Sequence, residues 1–215
     1  MFDMVKRGAN ISHKHKFVWT APAKVASRSV RDVFIEHCDL NPDWPSDEHP
    51  ISFTHVNHWP EEAGDDYLHI ASIRHPYYRW LSYYKYARTG DQNELTLDPL
   101  EHSPIECLED MNPGWVETWG LWNIINNTNK RIDYVIGAES IKHDISQLPF
   151  MKGIDFKVPI IGATHLEYNV TFSEPQLRNL CYDKFKTDYI QFGYEKYEVI
   201  DQWERKYIPN GWELR

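Results

Sequence analysis

The sequence predicts a three-layer α/β fold, with a central and mostly parallel sheet flanked by helices. Three observations point there. Short apolar runs that suit buried strands alternate with stretches of helical period, and two of those runs pass through a short loop straight into a helix. A length of 215 residues, 41% of them hydrophobic and 14% aromatic, suffices for one sizeable core, so a single domain over 1–215 is expected.

The first strand is Phe17–Thr20, FVWT, followed by a loop and by a helix from near Ser27. Val30, Val33, Phe34 and Cys38 are spaced to share one face of that helix, and Ser27 suits its N-cap. Ile51–Val56 alternates apolar and polar residues, which predicts a second strand ending in a His-rich loop. Tyr67–Ile73 is the third strand. It stops at Pro76, which fits the first turn of a helix carrying Trp80, Leu81, Tyr84 and Ala87. From Thr89 to about Pro113 the chain is polar and acidic with no clear period, predicting a long surface excursion. GWVETWGLWNIINN reads as one helix through Asn126, and Ile132–Ile136 as a fourth strand turning at Gly137. After a loop over 149–165, helices over about Glu174–Lys186 and near Tyr194–Arg205 finish the chain; no repeat or low-complexity segment is visible.

A net charge of −9 argues against general nucleic-acid or anionic-membrane binding, which needs a broad basic face; any anion site must be local. No window reaches the roughly 18 apolar residues of a membrane span, and the N-terminus lacks the apolar core of a secretory signal. Three sequons, at Asn10, Asn126 and Asn169, run against an unexported chain, but an Asn-rich sequence yields one or two by chance. Cys38, Cys107 and Cys181 are widely spaced and odd in number, so neither a disulfide framework nor a zinc site is expected.

Strand, loop and helix in that order create an anion site, because the amides at a helix start point outward at the positive end of its dipole. The loop and first turn here are Ala23, Lys24, Val25, Ala26, Ser27, Arg28 and Ser29. A Walker-type loop needs two glycines before its Lys-Ser/Thr, and this loop has none. Ligands of open α/β sheets bind beyond the carboxyl ends of the strands. There the sequence puts Lys24, Ser27, Arg28 and Ser29 after the first strand, and His55 and His58 at the end of the second. Arg74 ends the third, with Arg79 and Ser82 on the helix that follows. Two anion sites at separate strand ends suit a ligand phosphorylated at two positions.

On these residues the chain resembles the sulfotransferases that use 3′-phosphoadenosine 5′-phosphosulfate (PAPS). APAKVASRS is similar to their 5′-phosphosulfate loop and IRHPYYRWLSYY to their 3′-phosphate motif. The nearest resemblance is to carbohydrate 2-O-sulfotransferases acting on uronic-acid-containing glycans such as heparan sulfate, whose motif continues as SYYKYARTGD does from Ser82 to Asp91. YDKFKTDYIQFGY resembles the closing segment of Golgi-type carbohydrate sulfotransferases. The resemblance implies a P-loop-like version of the fold and in-line transfer of a sulfuryl group from PAPS to an acceptor hydroxyl, leaving 3′-phosphoadenosine 5′-phosphate (PAP), with no metal. It also implies a catalytic His. The family's His-x-His element is here THVNHWP, with two intervening residues, so the base is His55, the preferred choice, or His58. Lys24 and the helix-start amides would stabilise charge on the leaving oxygen, Ser27, Arg28 and Ser29 would hold the 5′-phosphosulfate, and Arg74 and Ser82 the 3′-phosphate.

Plainer roles stand beside these. Lys24 alone suits a solvated loop, Arg28 an ion pair with Asp32, Ser82 a helix surface, and Arg79 either a ligand or a buttress. Glu139 would orient a basic side chain or cap a helix. The aromatic residues of the 89–122 region suit the core or a sugar-stacking face. The expected acceptor is a glycan or a small hydroxylated molecule; the absence of a basic run outside the cofactor motifs keeps a neutral or lightly charged one in play. Two other classes compete: a P-loop-like nucleotide kinase or NTPase, and a non-catalytic PAP-binding module. The expected compartment is the cytoplasm of a microbial or viral host, the alternative a Golgi-lumenal catalytic domain separated from an anchor.

Overall fold

A run of four apolar or β-branched residues has nowhere to sit but between layers, and in the computed structural model Phe17–Thr20 is buried at every position. The structure describes residues 10–40, 60, 63–89, 95–126, 128–160 and 173–197. The expected strand Ile51–Val56 lies outside them. The described residues fall into two compact units, one holding the chain up to Ile73 and from Ile124 to 160, the other Arg74–Asn123 and 173–197.

The first unit carries a four-stranded sheet in the order β1 (Ile11–Ser12), β2 (Phe17–Thr20), β3 (Leu68–Ile73), β4 (Tyr134–Gly137). β3 lies parallel to β2, with Thr20 opposite Ala71, and parallel to β4, with Ile73 opposite Gly137. β1 is an antiparallel edge strand on β2. The fold is therefore α/β with a mixed, mostly parallel sheet. Two residues are too few to show a period, which is why β1 was invisible in the sequence; a turn with Lys16 at φ 50° brings it back onto β2, and Trp19 N–H donates to the Asn10 carbonyl at 2.7 Å.

α1 (Ser27–His37) lays Val30, Val33 and Phe34 on the sheet, the face its spacing predicts. Phe34 meets Phe17 at 5.0 Å and the edge of Trp19 at 5.4 Å, while Phe150 stacks on Phe17. α6 (Ile141–Gln147) adds Ile145 to the same core. The polar atoms that this burial strips of water find each other between strands: Trp19 Nε1 donates to Ser72 Oγ and Thr20 Oγ1 bonds His69 Nε2, both at 2.9 Å.

The second unit is helical: α2 (Pro76–Ala87), α3 (Pro104–Glu109), α4 (Pro113–Trp119), the start of α5 (Leu121–Asn126), α7 (Glu174–Lys184) and α8 (Lys186–Phe192), with α7 against α2 and α3. Three expectations change here. The excursion after Thr89 contains α3, opened by a capping box between Ser103 and Glu106 and burying Ile105, Cys107 and Leu108. The cap was legible in SPIE, but six residues are too few to display a 3.6 period. The single helix through Asn126 is two, broken at Gly120, where ψ is 130°. Buried Asp188 accepts from Leu121 N–H and Trp122 N–H at 2.8 Å each, serving the start of α5 from a remote helix. Finally, α8 ends at Gly193, φ 64°, so the expected helix near Tyr194–Arg205 does not form over Tyr194–Tyr197, and Tyr194 packs against His75 instead; residues 198–205 lie outside the described residues.

All three cysteines are buried and free, and burial pushes the Cys38 thiol up to about 12, which leaves it unreactive. No helix among the described residues is long and apolar enough to cross a membrane.

Burial holds the His69 imidazole below its ordinary pKa. The folded protein then binds fewer protons at this site than the unfolded chain, so its stability is full above about pH 6.5 and is lost as pH falls below that value. His69→Gln should flatten this part of the profile, read as the urea midpoint at pH 7.5 and pH 5.5; an unchanged slope would show that another group carries it.

Candidate functional site

The sequence after β2 has to turn sharply from strand to helix without a glycine. It does so by forcing Lys24 and Ala26 into the left-handed region, at φ 67° and φ 59°. Ala21, Pro22 and Val25 are buried and pin the loop from below, which leaves Ala23, Lys24 and Ala26 half-exposed above them. Each left-handed non-glycine residue costs about 1–2 kcal/mol, so the loop is held in shape by its packing.

Ala26, not Ser27, is the N-cap of α1, and it offers no side-chain acceptor. Its carbonyl takes the amides of Ser29 and Val30, so the amides of Ser27 and Arg28 have no acceptor inside the helix. Ser27 is half-exposed, Arg28 exposed and Ser29 buried at 5% exposure. The ion pair weighed for Arg28 does not form; Asp32 lies 3.6 Å from Arg31 Nε. Chemically the turn offers two amides with no acceptor inside the helix, a half-exposed lysine and the half-exposed Ser27 hydroxyl, a set of groups that suits a tetrahedral anion.

The turn after β4 is built by Asp144, which accepts from Gly137 N–H at 2.8 Å and Ser140 Oγ at 2.5 Å. Ser140 is the N-cap of α6, so Glu139, buried at 8% exposure, is not the cap.

In the second unit Arg74 is half-buried and directly precedes His75, the N-cap of α2. His75 Nδ1 accepts from Tyr77 N–H at 3.2 Å, which assigns the proton to Nε2, the donor to the Glu195 carbonyl at 3.1 Å. The ring is fully buried among Tyr77, Tyr78, Tyr189 and Tyr194, with centroids 5.0–6.5 Å away. The imidazole thus caps α2 with one nitrogen and ties down the chain beyond α8 with the other.

Of the two roles open to Arg79, the geometry is that of the buttress. It is 1% exposed, donates from Nη1 to the Trp119 carbonyl at 2.5 Å and lies 3.8 Å over the Trp119 ring. Burial pushes its pKa down to about 9 against the pull of Asp188, which leaves it cationic at neutral pH. Trp119 itself packs on Trp80, Tyr83 and Phe185 and belongs to the core.

Ser82 is on the half-buried face of α2 with Tyr78, Leu81, Lys85 and Tyr86, opposite the buried stripe of Tyr77, Trp80, Tyr83, Tyr84 and Ala87. Burial first and then the charge of Arg74 hold the Lys85 ammonium below the ordinary lysine range. Asp188 was not legible at all, because its partners are 66 and 67 positions away.

His55 and His58 lie outside the described residues, as do Gly90 and Asp91. Among the described residues no group of His, Cys, Asp and Glu side chains could hold a metal ion.

Because Ala26 is left-handed, Ala26→Val should lower stability by about 1–2 kcal/mol, whereas Ala26→Gly should leave it within about 1 kcal/mol of wild type. Urea unfolding of both variants checks this, and equal losses would mean the strain is absent. Comparison of the chain with protein-family models, with curated proteins and with solved structures returns no match.

Proposed function

We propose that this protein is a PAPS-dependent sulfotransferase with a P-loop-like fold, acting on a hydroxyl-bearing acceptor, with a carbohydrate as the preferred class. The observation that carries the reading is the glycine-free turn after β2. It sets a half-exposed Lys24 just before two helix-start amides that have no acceptor inside the helix, after the parallel strand β2, and β3, its parallel neighbour, is followed in the chain by Arg74. A kinase or NTPase would hold its triphosphate on a glycine-rich loop, which this chain does not have.

In this reading the acceptor oxygen attacks sulfur in line. A new O–S bond forms as the bond from sulfur to the 5′-phosphate oxygen breaks, and the hydroxyl proton passes to His55 or His58. A sugar hydroxyl is too weak an acid to ionise alone at neutral pH, so a base near pKa 6.5 is the natural recipient. Negative charge grows on the departing phosphate oxygen. Lys24 opposes that charge, an interaction stronger in the transition state than in the bound ground state. Ser27, Arg28 and Ser29 would hold the 5′-phosphosulfate, with the backbone of Ala23, Val25 and Ala26 shaping the turn. Arg74 and Ser82 would hold the 3′-phosphate, the group that separates PAPS from ATP. Arg79 contributes by holding Trp119 beneath α2 rather than by touching the ligand.

Calorimetric titration with PAP, and with ATP and AMP as controls in the absence of metal, tests the reading. PAP should bind best, and Arg74→Ala should weaken it by about 10–100-fold. Lys24→Ala should lower turnover by about 10²–10³-fold while weakening PAP far less. No preference for PAP over ATP would sink the proposal. Once an acceptor is in hand, the base is the histidine whose change to alanine abolishes turnover with PAP affinity intact; turnover that survives both changes would remove histidine from the mechanism.

A further inference from the structure

Resting on the sulfotransferase reading, we infer that the buried hydrogen-bonded pair Thr20 and His69 positions the anion-binding turn after β2, so that both are positioning residues for the 5′-phosphate held there. Thr20 is the last residue of β2, and the turn that carries left-handed Lys24 and Ala26 starts with the residue after it. Its hydroxyl bonds His69 Nε2 at 2.9 Å, and both residues are fully buried. His69 is held at three further atoms. Its N–H donates to Asp133 Oδ2 at 2.8 Å, its carbonyl accepts from Asp133 N–H at 2.9 Å, and its Nδ1 faces the Lys130 carbonyl at 3.4 Å. A carbonyl oxygen can only accept, so the ring proton belongs on Nδ1 and Nε2 accepts from the Thr20 hydroxyl. Burial keeps the imidazole neutral at pH 7, which leaves that lone pair available.

The direction of this bond is what ties it to the turn. Successive side chains of a strand point to opposite faces, so Trp19 and Thr20 leave β2 on opposite sides of the sheet. The ladder sets Trp19 opposite Ile70 and Thr20 opposite Ala71. Trp19 Nε1 reaches forward to Ser72, two residues beyond its partner, at 2.9 Å, whereas Thr20 reaches back to His69, two residues before its own. The two bonds lean in opposite senses along β3, and a slide of β2 in either direction stretches one of them. The end of β2 is thus cross-braced on both faces, just where the chain enters the turn. An apolar pair would fill the same space, since exchanging both partners of a buried hydrogen bond for apolar groups costs little stability; the polar pair adds direction. Groups fixed before a ligand arrives lose less entropy on binding it.

PAP and AMP share the 5′-phosphate, so calorimetric titration with both reads the turn. Thr20→Val should weaken both by about tenfold, and Thr20→Ser, which keeps the hydroxyl, should stay within about threefold of wild type. Arg74→Ala should by contrast weaken PAP and leave AMP unchanged. The double variant Thr20→Val with His69→Leu removes both partners, so its urea midpoint should lie nearer wild type than that of Thr20→Val while both ligands stay about tenfold weaker; it also carries the comparison if Thr20→Val does not fold. Folded Thr20→Val with wild-type affinity for PAP and AMP, or a double variant whose affinity returns with its stability, shows a structural role only and overturns the inference. Wild type that binds AMP as tightly as PAP overturns the sulfotransferase reading, and the Thr20 comparison on AMP still decides this inference. Wild type that binds neither overturns both.

Discussion

The rest of this structure depends on β3 being hydrogen-bonded in parallel on both edges. A strand paired on both sides has no freedom of register, since a one-residue slip would turn Ile70 and Ser72 out of their environments and part Trp19 from Ser72. Register in turn fixes where the chain leaves the sheet. β2 ends at Thr20 opposite Ala71, and β3 ends at Ile73 opposite Gly137, with Ala138 N–H donating back to the Ile73 carbonyl at 2.8 Å. The loop after β2 and the residue after β3 are thus set by ladder pairing before any side chain of the site is considered.

Anion-binding turns usually use glycine because the backbone must enter the left-handed region while approaching the ligand. This chain reaches that region with Lys24 and Ala26 and anchors the turn through Val25, which is completely buried between them. A turn held by packing is stiffer than one permitted by glycine. The same trade recurs at α2, where an imidazole does the work of a capping carboxylate and gains a second bond to the Glu195 carbonyl.

Two buried ionic groups of the second unit meet backbone or ring: Arg79 donates to the Trp119 carbonyl and lies over its ring, and Asp188 accepts from two amides at the start of α5. Burial raises the pKa of Asp188, and its amide bonds and the charge of Arg79 pull against that rise. Buried ions are expensive unless their hydrogen bonds are met, so these groups specify where α4 and α5 break more than they add net stability.

The sequence by itself determined the α/β class, the face of α1, the two strand-to-helix turns and the residues on them, because each depends on neighbours within one or two turns of chain. Val30, Val33 and Phe34 repeat at helical spacing, and Pro76 marks a helix start. Only the tertiary structure decided the others. Whether Arg79 touches a ligand or props a helix depends on Trp119, 40 positions away, and the break at Gly120 is completed by Asp188 from another helix. β1 exists because β2 offers it an edge, not because two residues favour a strand. Local pattern selects an element; which buried polar group meets which partner is settled by packing, where a distant residue can outweigh every local preference.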